Sequence, residues 1–232
     1  HMEPYMEQWK ERGFVPDGIY TGFLSDEKQA DKILKLMDTF SGEDTLILTD
    51  PVMGDDGEVY PIYTEALRNR FCELVRRSYV ITPNLTEALI LLYGKEKMEA
   101  IWREFQEISG RERLDQIEEI GRRLAEEFSL SAVVITGVDY REGEEPVKIG
   151  NLVLEKEKSS WVFAEKSGGS YSGTGDLFAS VLSAGLVKGY SMKKCAQLAV
   201  DFISASIRDA VEEGTDRNDG VCFEAHLGRL IQ

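Results

Sequence analysis

Histidine is almost missing from this chain: two in 232 residues, His1 and His226, each close to an end. That scarcity argues against Ser-His-Asp and Cys-His nucleophilic chemistry and against histidine-rich metal centres, and it leaves a carboxylate, lysine or tyrosine as the source of any general base. Cysteine is also scarce. Cys72, Cys195 and Cys222 are far apart and odd in number, which fits reduced thiols in a cytoplasmic protein and neither a disulfide frame nor a zinc site. No apolar run reaches the roughly 18–20 residues that span a bilayer, so no membrane partner is expected. The opening His1-Met2-Glu3-Pro4 has neither the basic nor the apolar region of a secretory signal. Positive charge is short as well: 27 Lys and Arg stand against 42 Asp and Glu, a net charge of −15, with no basic stripe. A nucleic-acid backbone is repelled by such a field. An anionic nucleotide can still bind where backbone amides, a helix terminus and metal ions supply positive potential, so the acidic surplus points to a metal-assisted site. Two common nucleotide signatures are absent. There is no Gly-x-x-x-x-Gly-Lys-Ser/Thr loop, and Gly173-Thr174-Gly175 lacks the third glycine of a dinucleotide turn.

What is present is an ordinary globular composition, 42% apolar and 30% charged, with apolar periodicity that switches between short β runs and 3.6-residue helical spacing. The pattern predicts a helix over 3–12 closed by Gly13, a strand over 17–21, and a helix capped by Ser25 with Ala30, Ile33, Leu34 and Met37 on one face. A strand over 45–49, a helix from about Thr64 and a strand over 79–82 follow. Helices over 97–108 and 113–128 then precede an apolar strand over 132–135. After Asp139 the texture changes to antiparallel strands over 146–154 and 160–164. A Gly/Ser-rich loop over 167–175 leads into a helix over 176–187, and a last helix over 191–211 places Cys195, Ala199, Phe202, Ile203, Ile207 and Ala210 on one stripe. Fully apolar strands alternating with helices indicate an α/β fold with a mainly parallel sheet covered on both faces. No repeat or linker divides the chain, so residues 1–232 are read as a single domain.

Open parallel sheets bind ligands beyond the carboxyl ends of their strands, and these exits are polar. One leads into Asp50-Pro51-Val52-Met53-Gly54-Asp55, another into Thr82-Pro83-Asn84-Leu85-Thr86-Glu87, and another into Thr136-Gly137-Val138-Asp139. Each segment has a plain alternative. Asp50 and Asp55 face one cation or form a solvated acidic loop. Asn84 and Glu87 contribute to a site or simply cap a helix. Thr136-Gly137 belongs to a cleft or ends a strand. Gly173-Thr174-Gly175-Asp176 is sharper. Two glycines let a ligand approach the backbone, and the helix that follows aims its positive end at the same spot. Asp176 beside that cradle is placed to take a proton from a hydroxyl held against a phosphoryl group; the alternative is that it only stabilises a helix terminus. Together with the polar exits, the cradle reads as functional.

These motifs, in this order, resemble the pyridoxal kinase signatures of the vitamin-kinase branch of the ribokinase-like superfamily: Asp50-Pro51-Val52-Met53-Gly54-Asp55, Thr82-Pro83-Asn84-Leu85-Thr86-Glu87-Ala88 and Ser172-Gly173-Thr174-Gly175-Asp176-Leu177-Phe178. The resemblance runs from about Asp17 to the end of the chain. It implies a three-layer ribokinase-like fold and transfer of a phosphoryl group from ATP to the 5′-hydroxymethyl group of a B6 vitamer (pyridoxal, pyridoxamine or pyridoxine). It implies Asp176 as base and the amides of Gly173, Thr174 and Gly175 as anion hole. Asp50, Tyr60, Asn84, Thr136 and Thr174 then fall near the ATP phosphates, and Asp55, Thr82 and Glu87 fall where Mg²⁺ or a monovalent cation, K⁺ or Na⁺, is organised. Relatives are often homodimers, so self-association is a further implication. The family's usual amino-terminal strands have no counterpart here, which makes the domain amino-terminally incomplete relative to the family. Hydroxymethylpyrimidine kinases share Asp-Pro-Val-Met, but in that branch a cysteine commonly replaces the aspartate that ends the glycine motif. A non-catalytic ATP-binding fragment is the alternative of another class.

Overall fold

The computed structural model describes residues 2–231, so His1 lies outside it. Helix α1 (Met2–Glu11) packs on α2 (Glu27–Phe40), with the Trp9 ring 5.9 Å from that of Phe40. Strand β1 (Gly18–Thr21) lies between them in sequence, and β2 (Leu46–Thr49) follows α2. A small antiparallel pair, β3 (Gly54–Asp55) and β4 (Glu58–Val59), precedes α3 (Glu65–Arg76), β5 (Val80–Ile81), α4 (Leu85–Tyr93), α5 (Lys95–Glu107) and α6 (Gly110–Phe128). The chain continues through β6 (Ala132–Tyr140), β7 (Lys148–Glu155), β8 (Lys158–Glu165), α7 (Thr174–Val187), α8 (Met192–Glu213) and a 3-10 helix over Glu224–Leu230.

Six strands form one sheet in the order β1-β2-β5-β6-β7-β8. The pairings from β1 to β6 are parallel, and β7 and β8 extend the sheet antiparallel. Side-chain alternation along each strand divides the core. Ile47, Ile81, Val133 and Ile135 point into a layer formed with α2 to α6, whereas Leu48, Val80, Ala132 and Val134 point toward α7 and α8. The result is the helix–sheet–helix sandwich that continuous apolar strands require. Among the described residues no helix is long and apolar enough to cross a membrane. Cys72 and Cys195 are buried free thiols, Cys222 is a half-buried one, and His226 pairs with Asp209 of α8 at 2.8 Å.

Several local expectations are corrected. The cap of α2 is Asp26, whose carboxylate accepts from Gln29 N at 2.7 Å, while Ser25 donates its N–H and hydroxyl to the Gln29 side chain at 2.8 and 2.9 Å. A carboxylate at the positive end of a helix gains charge–dipole energy that a serine hydroxyl lacks, so the cap moves one residue along. Strand β6 runs past Ile135 to Tyr140 because its pairing with β7 resumes after a register shift between Ile135 and Val138. Gly137, at φ +70°, supplies the left-handed turn of that bulge. Helices α5 and α6 begin two and three residues earlier than the periodicity indicated. The stripe on α3 holds: Leu67, Phe71, Leu74 and Val75 are all buried. Phe71 is fully enclosed, and Phe71→Ala is expected to cost about 3–5 kcal/mol in urea unfolding through lost burial and a residual cavity. A loss under about 1 kcal/mol would mean that this layer can collapse around the gap.

Candidate active site

Parallel register aligns the strand ends. Thr21, Thr49 and Ile81 stand side by side as the last residues of β1, β2 and β5. The next residues are tied across: Asp50 N donates to Thr21 O at 2.8 Å, Thr82 N to Thr49 O at 3.2 Å, and Thr136 N to Pro83 O at 2.9 Å. Asn84 and Thr136 form a further isolated bridge. Segments 32 and 54 residues apart in sequence thus deliver Asp50, Thr82 and Thr136 to one edge.

The turn before α7 closes over that edge. Gly173 is the cap of α7 at φ +82°, a conformation that disfavours side chains, and Thr174 steadies the turn by donating to Tyr171 O at 3.1 Å. Ser172 N donates to Arg217 O at 2.9 Å, so the loop after α8 fastens the glycine turn from outside. Helix α7 packs on β1 and β2, which presses its first turn against Asp50: a Cβ built on Gly175 would lie 3.9 Å from Asp50 Oδ2. Asp176, in the same turn, accepts from Tyr20 Oη at 3.1 Å.

Carboxylates crowd this place. Asp50 is only 6% exposed; burial raises its pKa to about 7, the charge of Asp176 adds to the rise, and the Thr82 hydroxyl offsets part of it. That last contact falls short of a full hydrogen bond, since Thr82 Oγ1 is buried and has no partner. Glu87 is buried and pushed well above the usual carboxylate range by desolvation and then by Asp50, although the N–H groups of Asn84 and Met53 oppose the rise. Burial also raises Asp55; the N–H of Asp56 and the charge of Arg217 counter it in part. Tyr60 is pushed up to about 12, first by burial and then by the charges of Asp55, Glu87 and Asp50. Desolvated carboxylates gathered at strand ends, facing bare helix-end amides, form an environment that a cation and an anion can stabilise together.

The residues singled out from sequence therefore converge, with differences in how free they are. Asn84 and Glu87 form a complete capping box at 2.9 Å in each direction. Asn84 Nδ2 also holds Gly54 O at 2.8 Å, and the other Glu87 oxygen takes Met53 N at 3.2 Å. The plain reading of this pair as a cap is thus true of its hydrogen bonds, and its second task is to fix the loop that carries Asp55. The residues fit Mg²⁺ in one specific sense. Among the described residues no three His, Cys, Asp or Glu side chains form a ready-made cage, but Mg²⁺ ordinarily binds through one or two carboxylates plus substrate phosphates and water. The hard oxygens of Asp50 and Asp55 and the unpartnered Thr82 hydroxyl suit that sharing. Tyr20, Gly22 and Arg217 escaped sequence reasoning. Tyr20 looked like one more strand residue, and nothing near Arg217 in sequence marks it as a neighbour of Asp55.

Known proteins share this arrangement of chain. A family model described as phosphomethylpyrimidine kinase matches residues 11–220. The chain belongs to that family. Among curated relatives of the family fold, pyridoxine kinase of Bacillus subtilis is 28% identical over 170 residues, covering 71% of this chain and 54% of that one. The pyridoxine/pyridoxal/pyridoxamine kinase of Bordetella avium is 27% identical over 206 residues, covering 87% of this chain and 64% of its own length. The chain thus spans between about half and two thirds of these relatives. A Bacteroides thetaiotaomicron protein assigned as a phosphomethylpyrimidine kinase, whose crystal form includes pyridoxal, superposes with a TM-score of 0.84 at 29% identity, covering all of this chain and 76% of that one. Pyridoxal kinase from Lactobacillus plantarum shares the fold at TM-score 0.79 and 21% identity, over 98% of this chain and 75% of its own. The α/β architecture with a mainly parallel sheet is therefore the ribokinase-like fold of pyridoxal kinases.

Proposed function

We propose that this protein transfers the γ-phosphoryl group of ATP to the 5′-hydroxymethyl group of a B6 vitamer. The observation that carries the reading is Asp176 in the first turn of α7, directly after a glycine turn with positive φ and beside the strand-end acids. Phosphoryl transfer needs little from a protein beyond positioning and charge neutralisation. In this reading the N–H groups of Gly173, Thr174 and Gly175 meet the transferred phosphoryl group, where helix-end amides stabilise an anion at no reorganisation cost. Asp176 accepts the proton of the acceptor hydroxyl. Asp50, Tyr60, Asn84, Thr136 and Thr174 border the nucleotide phosphates, Tyr60 as a hydroxyl donor, Thr174 through its N–H in the turn that its hydroxyl steadies, and Asn84 chiefly through the loop it fixes. Asp55 and Thr82 hold the cation, with the buried Glu87 carboxyl behind them. Mg²⁺, once bound with ATP, neutralises charge on the phosphates; a monovalent ion, K⁺ or Na⁺, would add to the same effect.

Relatives named for pyridoxine and pyridoxal support the B6 assignment. The family description favours a second reading, hydroxymethylpyrimidine kinase. Asp176 weighs against it, because that branch commonly carries cysteine at this position. The test is ATP consumption by the 232-residue chain offered pyridoxal, pyridoxamine, pyridoxine and hydroxymethylpyrimidine separately. Turnover with one or more B6 vitamers and none with the pyrimidine is expected. Turnover with the pyrimidine alone would replace the reading, and binding of ATP without turnover on any acceptor would make the chain an ATP-binding unit.

A further inference from the structure

Strand β1 contributes something that none of the three motifs contains. Tyr20, next to last in β1, crosses to α7 and donates its hydroxyl to Asp176 Oδ1 at 3.1 Å, a contact between residues 156 apart in sequence. The ring is half-buried against the α7–α8 layer, so it approaches Asp176 from a fixed direction. The space around the pair is kept clear by Gly22: a Cβ built there would lie 3.1 Å from the Tyr20 oxygen and 3.6 Å from Asp176 Oδ1. Burial first, and then the carboxylates of Asp50 just past β2 and Asp176 on α7, hold the phenol protonated as a donor throughout the working range.

We propose that Tyr20 is a positioning residue for the reaction: by occupying Asp176 Oδ1 it fixes the carboxylate so that Oδ2 receives the acceptor's proton. This rests on the kinase reading above. In the step it serves, the acceptor oxygen forms a bond to the γ-phosphorus while the bond from phosphorus to the bridging oxygen breaks. ADP keeps that electron pair, and the acceptor's proton passes to Asp176 Oδ2. A carboxylate free to rotate would spend part of its time with neither oxygen aligned, and a shift on the order of 1 Å is enough to slow such transfers substantially.

The experiment combines kinetics with a readout that needs no turnover. In the 232-residue chain, Tyr20→Phe is expected to lower kcat about tenfold, the scale of one hydrogen bond to a charged group, with the KM for ATP within about twofold. On an Asp176→Asn background the same change should have no further effect, since the group it positions is gone. Separately, tyrosine labelled with ¹³C at Cζ gives a resonance assigned to Tyr20 by its loss in Tyr20→Phe, and that resonance is expected to move in Asp176→Ala. An unmoved resonance overturns the contact whether or not the chain is active. Unchanged kcat in an active Tyr20→Phe variant, or equal losses on both backgrounds, overturns the positioning role. A chain inactive on every acceptor defeats the kinase reading and this role with it, while a moved resonance would still establish the contact.

Discussion

Replacing Asp176 by Asn is expected to lower phosphorylation of the preferred acceptor by about 10³-fold, within the 10²–10⁴ range of a positioned general base, while the affinity for MgATP changes little. The asparagine keeps the size of the side chain and an oxygen for Tyr20 Oη, which now stands 3.1 Å from Asp176 Oδ1, so the glycine turn before it has no reason to move. What disappears is the carboxylate within the first turn of α7 that accepts the proton in the proposed reading. Single-turnover assays with each acceptor, alongside nucleotide titration, separate the two effects. Wild-type turnover in Asp176→Asn would remove this residue as base. A parallel loss of nucleotide affinity would mean that its charge organises the cation instead.

Asp50→Asn is expected to have opposite effects on stability and activity. Burial raises the Asp50 pKa to about 7, against an ordinary value of 3.8. Between those two values the folded chain binds the proton that the unfolded chain has released, so stability falls as pH rises from about 4 to about 7 and the full cost is present above that. Asparagine never ionises and escapes it. In buffer free of divalent cations the variant should be more stable than wild type by on the order of 4 kcal/mol at pH 8 and nearly equal to it at pH 4. The same change should lower MgATP-dependent turnover by about 10²-fold, because in the proposed reading the desolvated charge that costs stability in the free protein borders the phosphates and the cation they carry. Denaturant melts at several pH values check the first part and initial rates the second. A variant less stable than wild type at pH 8 would mean that the buried carboxylate is already compensated within the fold.

The opposing demands on Asp50 illustrate how the site is built. Asp50, Asp55 and Glu87 all have raised pKa values through burial before any cation arrives, and the charge of Arg217 counters part of the rise at Asp55. Backbone groups do more. Met53 and Asn84 N–H groups hold Glu87, the Asp56 N–H holds Asp55, and the first turn of α7 faces Asp50. A chain of net charge −15 is thereby suited to a nucleotide that brings its own metal.

Sequence alone determined the six strands of the main sheet, most of the helices and the edge at which the candidate site lies, but not the β3–β4 pair or the 3-10 helix over Glu224–Leu230. Apolar runs such as Leu46–Thr49 and Ala132–Ile135, alternating with amphipathic helices, dictate a parallel sheet covered on both faces, because strands apolar on both sides have no other way to leave water. Gly173-Thr174-Gly175-Asp176 marks a turn opening a helix because φ-permissive residues followed by a helix start are local chemistry, legible within four positions. Features set by competition between neighbours were less legible. The α2 cap moved from Ser25 to Asp26, and β6 continued beyond its apolar run once a bulge at Gly137 let the pairing with β7 resume. Only the tertiary structure decided which acids meet and which residues hold them. The bond from Tyr20 to Asp176, the clasp of Ser172 by Arg217 and the desolvation of Asp50 each depend on register and packing between segments far apart in the chain. Proximity of that kind comes from closing a three-layer core, and no local spacing of residues encodes it.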